Sequence, residues 1–169
     1  MTSASTLPQT VVIIGGVAGG MSAATRLRRI HESAEIIVIE RGGAVSFANC
    51  GLPYHVGGVI PHRGSLVLQQ PAQLKKRFNI DVHLRTEATA INRDRKTVLV
   101  TNLETRESRE IAYDALVLSP GSTPFRPPIP GVEDAHVLWN LDDMDRLIAA
   151  ADTASSAIVV GGGFIGLEL

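Results

Sequence analysis

The chain has 169 residues, of which 44% are hydrophobic and 20% charged, a composition typical of a globular protein that buries its own core. Its 16 basic and 17 acidic side chains give a net charge of −1, which argues against nucleic acid or a membrane surface as the partner. The single cysteine rules out an intrachain disulfide, and no run approaches the roughly 20 apolar residues of a membrane span. The first ten residues lack a signal-peptide core, so we expect a cytoplasmic protein with a reduced thiol.

Two glycine-rich loops form an internal repeat. Four glycines lie in Gly15–Gly20 and four in Gly161–Gly166, and each cluster follows a β-branched run, Val11–Ile14 and Ile158–Val160. A glycine turn directly after a buried strand starts a phosphate-binding strand–turn–helix unit. The sequence therefore predicts two nucleotide-binding folds, and we expect the second to stop at Leu169 before its helix completes a turn.

The elements between the loops follow from periodicity and composition. In chain order, we predict a helix over Met21–His31, a strand over Glu35–Ile39, a long loop over Arg41–Gly64, a helix over Pro71–Phe78, a strand over Ile80–Leu84, three antiparallel strands over Thr86–Asn92, Thr97–Thr101 and Arg109–Ile111, a strand over Ala115–Leu118 and a helix over Leu141–Ala151. A loop as long as the first one is usually functional.

This order of elements predicts an α/β fold, in which a Rossmann-like domain with a parallel sheet carries an inserted antiparallel β-meander. We expect the dinucleotide-binding domain to span residues 1–120 and the start of a second Rossmann-like domain to span residues 157–169. Five prolines between Pro120 and Pro130 forbid a helix or a central strand there. Residues 121–156 are therefore predicted to form a stiff linker and a connecting helix.

The first glycine loop departs from the dinucleotide fingerprint at one position. Gly15 and Gly20 occupy its first and last glycine positions, but Val17 stands in the middle, where a side chain limits the approach of a phosphate. Glu40 follows Gly20 by twenty residues, at the end of the second predicted strand, where a carboxylate can accept both hydroxyls of an adenosine ribose. The alternative is that these glycines only allow close packing of a strand against a helix.

Cys50 is the candidate nucleophile. A lone cysteine is most often an inert, buried hydrophobic residue. Here, however, it lies in the polar segment Ser46–Tyr54, just before a predicted helix start that contains Pro53. Because a helix N-terminus favours thiolate over thiol, we expect Cys50 to be reactive.

These motifs together resemble the FAD-dependent pyridine nucleotide-disulfide oxidoreductases, and the resemblance covers almost all of the chain. It is carried by both glycine loops, by Glu40, by Cys50 ten residues later, and by the segment Leu116–Gly121. The sequence Ser-Phe-Ala-Asn-Cys before Gly51 looks most like the coenzyme A-disulfide reductases, including forms with a C-terminal rhodanese domain. Gly51 departs from the alanine usual there, since Cys-Gly is typical of the related NADH oxidases and peroxidases, and the subfamily stays open.

The resemblance implies which residues hold FAD. It assigns the pyrophosphate to the glycine loop, the adenosine side to Glu40 and Arg41, the adenine to Val82, and a place beside the cofactor to Ser119, Pro120 and Gly121. The loop residues concerned are Gly15, Gly16, Val17, Ala18, Gly19 and Gly20. Asn49 and Cys50 would lie beside the flavin and carry the catalysis.

The resemblance also implies the chemistry and the substrate. NAD(P)H would reduce the flavin, the flavin would reduce a mixed disulfide of Cys50 with CoA, and the Cys50 thiolate would then attack CoA disulfide. Ser22, Arg26 and Arg29 share one face of the predicted helix, a pattern that suits phosphates but also fits an ordinary solvated face. Because matching positions in the CoA reductases contact CoA, we assign these three, with Ser46 and Asn49, to the substrate.

Two other interpretations stay open. An NADH oxidase or peroxidase would oxidise Cys50 to a sulfenic acid instead of pairing it with CoA. Alternatively, the 169-residue chain is a non-catalytic FAD-binding fragment, because relatives also have a complete NAD(P)H domain and a dimerisation domain. We expect little turnover from this chain alone and a homodimer for the complete enzyme. The five histidines show no metal-ligand spacing, so no metal is assigned.

Overall fold

The computed structural model describes residues 7–169, so the first six residues, which belong to the segment judged to lack a signal peptide, lie outside it. The strands and helices are β1 (Thr10–Ile14), α1 (Ala18–Ile30), β2 (Glu35–Ile39), α2 (Leu52–Val56), α3 (Pro71–Phe78), β3 (Ile80–His83), β4 (Thr86–Asn92), β5 (Thr97–Asn102), β6 (Ser108–Ala112), β7 (Ala115–Leu118), α4 (Leu141–Ala151) and α5 (Phe164–Glu168). Short 3-10 turns cover Asn49–Gly51, Arg63–Leu66 and Val132–Asp134. The described part of the chain divides into two compact units.

The first unit contains the described residues up to Phe47 and those from Gln69 to Gly121. Its parallel sheet has the order β3-β2-β1-β7, in register from Thr10 opposite Glu35 to Ile14 opposite Ile39. Most of the β-branched side chains of β1 and β2 are buried, and they face both sides of this sheet, which explains why these strands are continuous apolar runs. One face packs against α1 and α3, and the other packs against the meander.

The meander is a three-stranded antiparallel sheet with the order β4-β5-β6. Val98 and Val100 on β5 and Ile111 on β6 are buried against Val12 and Ile39 of the parallel sheet. Burial alternates along β5, so one face of the strand is directed inward, as a half-buried strand requires. Thr97, Leu99 and Thr101 lie on the less buried face.

The second unit contains residues from Ala48 to Leu68 and from Ser122 onward. Helix α4 begins at a capping box in which Asn140 accepts from Asp143 N–H at 2.8 Å and Asp143 accepts from Asn140 N–H. Leu141 and Met144 on this helix are buried. Ala48 N–H donates to the Leu66 carbonyl at 2.8 Å, and this hydrogen bond joins the two ends of the segment 48–68.

The predicted fold class is confirmed, including the parallel sheet and the inserted meander. The predicted bounds of β2, α3, β4, β7 and α4 agree with the structure, whereas α1 begins three residues earlier than expected and β3 ends one residue earlier. The strand expected at Ile158–Val160 is wrong. These residues are exposed and form no strand, because no described strand pairs with them. The helix expected to be incomplete forms the five-residue α5.

The long loop predicted over Arg41–Gly64 is not structureless. It contains the 3-10 turn that carries Cys50, helix α2 and the start of the turn at Arg63–Leu66. The proline-rich segment between Pro120 and Pro130 forms no helix or strand, as predicted. Among residues 7–169, none of the helices combines the length and the apolar character needed to cross a lipid bilayer.

Candidate functional site

The first glycine loop requires glycine at both ends of its fingerprint. Gly15 adopts φ +99°, a left-handed conformation, and a β-carbon there would overlap the Ser119 carbonyl oxygen. A β-carbon on Gly20 would overlap the Gly15 carbonyl oxygen and approach Ile13 to 3.1 Å. The loop is therefore wedged between the ends of β1 and β7 and the first turn of α1. Close packing therefore accounts for the glycines at these two positions.

The N-terminus of α1 supplies free donors beside this loop. Helix α1 has 13 residues, and its N-cap, Val17, makes no side-chain capping hydrogen bond. The first N–H groups of a helix lack partners within the helix and attract an anion together with the helix dipole. Ala18 and Gly19 in the first turn are exposed. A pyrophosphate therefore fits the chemistry of this end of α1.

Glu40 holds the turn next to the loop. One carboxylate oxygen accepts from Gly16 N–H at 2.7 Å and the other accepts from Gly42 N–H at 2.6 Å. Ser46 N–H donates to the Gly16 carbonyl at 2.9 Å, and Ser46 adopts φ +50° to do so. A carboxylate offers about four acceptor positions, so these two bonds leave room for ribose hydroxyls. Glu40 is thus both a structural clamp and an available acceptor.

The other residues assigned to FAD lie at the carboxyl ends of the parallel strands or just beyond them. Arg41 is exposed and pairs with Glu87 at 3.5 Å, while the Val82 side chain packs against the core. Ser119 N–H donates to the Ile14 carbonyl at 2.8 Å, and Pro120 and Gly121 follow it as exposed residues. Ligands of open α/β sheets bind at this edge. The glycine cradle, the uncapped α1 and Glu40 therefore fit the adenosine diphosphate part of FAD.

The cysteine segment belongs to the second unit. Asn49 and Cys50 are exposed on the 3-10 turn, whereas Gly51, Leu52 and Pro53 are buried behind them. Pro53 stands in the first turn of α2, as expected, where its missing N–H costs nothing. The thiol is therefore accessible, and the alternative of an inert buried cysteine does not apply.

Three residues of α1 were assigned to the substrate. Ser22, Arg26 and Arg29 are all exposed, and neither arginine makes a hydrogen bond or ion pair with another residue in the range 7–169. Arg28 behaves differently. Its guanidinium donates to the carbonyl oxygens of Phe78 at 2.7 Å, Ala34 at 2.7 Å and Asn79 at 2.9 Å, which fixes the end of α1.

Sequence reasoning missed two pairs because both join residues far apart in the chain. Arg109 Nη2 lies 3.4 Å from His83 Nδ1, and burial together with the charge of Arg109 lowers the pKa of His83. Arg63 forms a two-pronged ion pair with Asp145, whose pKa is lowered by these hydrogen bonds. No local pattern indicates either pair, since their partners are 26 and 82 residues apart.

The sequence profile of the pyridine nucleotide-disulphide oxidoreductases matches residues 9–169. The chain belongs to this family. The NADH oxidase of Enterococcus faecalis is 37% identical to this family member over 161 residues, which cover 94% of the chain and 36% of the relative. The coenzyme A disulfide reductase of Staphylococcus epidermidis shows the same identity and the same coverage.

A solved structure has a similar fold. The reduced CoADR-RHD of Bacillus anthracis superposes with a TM-score of 0.90 at 49% identity, covering 94% of this chain and 29% of that chain. The chain thus spans about a third of the length of the relatives it matches. Its relatives are oxidoreductases of the flavoprotein disulfide reductase family, and these include both a CoA disulfide reductase and an NADH oxidase.

Proposed function

We propose that this chain is the FAD-binding part of an NAD(P)H-dependent disulfide reductase that uses Cys50 to reduce CoA disulfide or a related sulfur compound. The observation that carries the proposal is the exposed Cys50, the one cysteine of a chain that belongs to a disulfide oxidoreductase family. An exposed thiol on a fixed turn is accessible to a disulfide substrate. A single cysteine requires a partner sulfur from outside residues 1–169.

The first unit would hold the cofactor. The uncapped first turn of α1 and the loop from Gly15 to Gly20 would bind the pyrophosphate, and Glu40 would accept from the adenosine ribose. Arg41, Val82 and the Ser119–Gly121 segment would border the remaining adenosine and flavin parts. When bound, FAD supplies two electrons, taken from NAD(P)H, to the disulfide of Cys50.

The chemistry of Cys50 is thiol–disulfide exchange. The thiolate attacks one sulfur of CoA disulfide, so that a Cys50–CoA disulfide forms and one CoA thiolate leaves. Two electrons then split this mixed disulfide, which restores the Cys50 thiolate and releases the second CoA thiolate. Asn49, exposed beside Cys50, is positioned by the same 3-10 turn. Ser22, Arg26 and Arg29 would bind the phosphates of CoA, with Ser46 and Asn49 nearer the reacting end.

Mass spectrometry of the protein as purified tests this proposal. A Cys50 peptide carrying one CoA, removed by a reductant, is expected. Flavin absorbance of the same sample tests the cofactor independently, and a colourless protein that takes up no FAD on titration would contradict the assignment of the glycine loop. These two measurements separate the thiol chemistry from the cofactor.

Two observations favour a second function. Gly51 follows the cysteine directly, and the NADH oxidase of Enterococcus faecalis matches the chain as well as the CoA disulfide reductase does. An oxidase or peroxidase would carry Cys50 as a sulfenic acid. In that case the Cys50 peptide gains oxygen, and a sulfenate-specific reagent such as dimedone labels it.

The proposed domain division assigns residues 1–120 to FAD and residues 157–169 to the first part of an NAD(P)H-binding domain, with a linker and helix over 121–156. The support is the second glycine loop, in which a β-carbon on Gly166 would overlap the Gly161 carbonyl oxygen, just as Gly20 meets Gly15 in the first. Longer forms of the chain would test the division by the gain of NAD(P)H binding.

A further inference from the structure

The turn that carries Cys50 packs against a second turn of the same unit. A β-carbon on the buried Gly51 would lie 2.6 Å from Leu66 Cδ2 and 3.4 Å from Ile60 Cδ1, so these two side chains fill the space directly behind the turn. Leu66 is itself 1% exposed. The position of Cys50 therefore depends on where the Arg63–Leu66 turn holds Leu66.

An ion pair connects the Arg63–Leu66 turn to helix α4. Arg63 donates from Nε to Asp145 Oδ1 at 2.8 Å and from Nη2 to Oδ2 at 2.8 Å, the parallel arrangement that guanidinium and carboxylate groups prefer. These bonds raise the pKa of Arg63 and lower that of Asp145. Both groups stay charged throughout the neutral range. The pair is half-exposed, so its importance lies in geometry rather than in stability.

Asp145 offers a firm anchor. It follows the fully buried Met144 on a helix whose N-terminus is closed by the Asn140–Asp143 capping box. Because Met144 is packed and the helix is capped, the Asp145 carboxylate has little freedom to follow the Arg63 turn if that turn moves. The helix thus sets the position of the turn.

Two hydrogen bonds connect Ile60 to helix α2. His55 Nδ1–H donates to the Ile60 carbonyl at 2.6 Å, and Ile60 N–H donates to the Tyr54 carbonyl at 3.0 Å. Ile60 is thereby fixed to α2, which continues the Cys50 turn. Leu66, by contrast, is connected to α4 through Arg63. The Arg63–Asp145 ion pair therefore connects this segment to α4 directly.

We infer that Arg63 and Asp145 are positioning residues for Cys50. The Asp145 carboxylate orients Arg63, the Arg63–Leu66 turn places Leu66, and Leu66 supports Gly51 and hence the thiol. This inference rests on the proposed function of Cys50 as the reacting thiol. Neither residue touches substrate or cofactor in this scheme, and both act through the packing behind the turn.

Hydrogen exchange and alkylation of Cys50 test the inference on the purified protein. In Arg63→Met, we expect the amides of residues 48–56 to exchange about threefold faster or more, while the thermal midpoint and the exchange of α1 stay at wild-type values. The rate of Cys50 alkylation by iodoacetamide at a fixed pH, followed on the Cys50 peptide, should move toward that of the free peptide. Arg63→Lys, which keeps the charge but loses the fork, should lie between the two.

Lys75→Met is the matched control, since Lys75 and Asp81 form an ion pair of similar exposure at 2.8 Å in the other unit. It should leave exchange in residues 48–56 and Cys50 alkylation unchanged. Wild-type exchange in Arg63→Met, or an equal change in Lys75→Met, would overturn the positioning role. If Cys50 in the wild-type protein is alkylated at the same rate as in the free peptide, that result would instead count against Cys50 as a reactive thiol, and the exchange data would still decide the role of Arg63.

Discussion

The carboxylate of Glu40 accepts a hydrogen bond from the backbone N–H of Gly16 at 2.7 Å, and so connects the end of β2 to the glycine loop after β1. Gly42 N–H binds the other carboxylate oxygen at 2.6 Å. The residue expected to recognise a ribose therefore also shapes the loop expected to bind the pyrophosphate. Its charge matters to the protein before any cofactor is present.

Glu40→Gln should destabilise the protein in the absence of cofactor. The amide has one acceptor oxygen, so one of the two backbone donors loses its partner, at a cost of about 1–3 kcal/mol in the free energy of unfolding. Urea denaturation measures this cost, and FAD titration should show weaker binding. Glu87→Gln is the control, because Glu87 is partly exposed and its ion pair with Arg41 is long, at 3.5 Å. Equal stability of the two variants would refute the clamp.

Gly20→Ala should disrupt the glycine loop. The added methyl would overlap the Gly15 carbonyl oxygen, and overpacking of this kind costs about 1–3 kcal/mol. We expect a lower thermal midpoint and loss of flavin absorbance. Gly162→Ala makes the same chemical change where nothing lies within 4 Å, so it should behave as wild type. If Gly20→Ala retains both its midpoint and its flavin, the loop is not wedged as described.

His83 should make stability depend on pH. Because its pKa in the folded state is below the ordinary 6.5, the unfolded chain binds more protons in the window just below that value. Stability is therefore fully present above about pH 6.5 and falls as the pH drops through the folded-state pKa. His83→Gln should flatten the unfolding free energy between about pH 7.5 and 5.5. A wild-type pH dependence in His83→Gln would refute this role of His83.

Gly51→Ala tests the packing behind the cysteine turn. The new methyl would meet Leu66 Cδ2 at 2.6 Å, so Leu66 must shift, and we expect a loss of about 1 kcal/mol or more. Leu66→Val alone leaves a small cavity, but in the double variant it makes room for the methyl. The double-mutant cycle should therefore give a coupling energy of at least about 0.5 kcal/mol. Simple additivity of the two changes would show that the side chains do not compete.

Arg26→Ala and Arg29→Ala should weaken CoA binding and leave flavin content unchanged. Both guanidiniums are exposed on one face of α1, and losing a charge-assisted bond to phosphate should reduce affinity about tenfold per arginine. Isothermal titration with CoA measures the effect. Arg93→Ala removes a charge from an exposed turn of the meander and serves as the control. CoA affinity equal to wild type in both α1 variants would exclude this face as the CoA site.

Local chemistry made much of the fold predictable. The buried apolar runs of β1 and β2, Pro71 at the start of α3 and the β-branched residues of β5 each indicate the local structure within a few residues. The wrong prediction of a strand at Ile158–Val160 also comes from local chemistry. Its β-branched run favours a strand locally, but a strand also needs a hydrogen-bonded neighbour, and sequence composition does not say whether one is at hand.

The candidate site, too, was predictable from the sequence only in part. Sequence alone located Gly15–Gly20, Glu40 and Cys50, because turn geometry, spacing and side-chain chemistry are local properties. Only tertiary structure decided that Cys50 is exposed, that Glu40 clamps Gly16, and that Arg63 meets Asp145 across 82 positions of the chain. Burial and ion pairing depend on which distant segments the fold brings together, and no residue carries that information by itself.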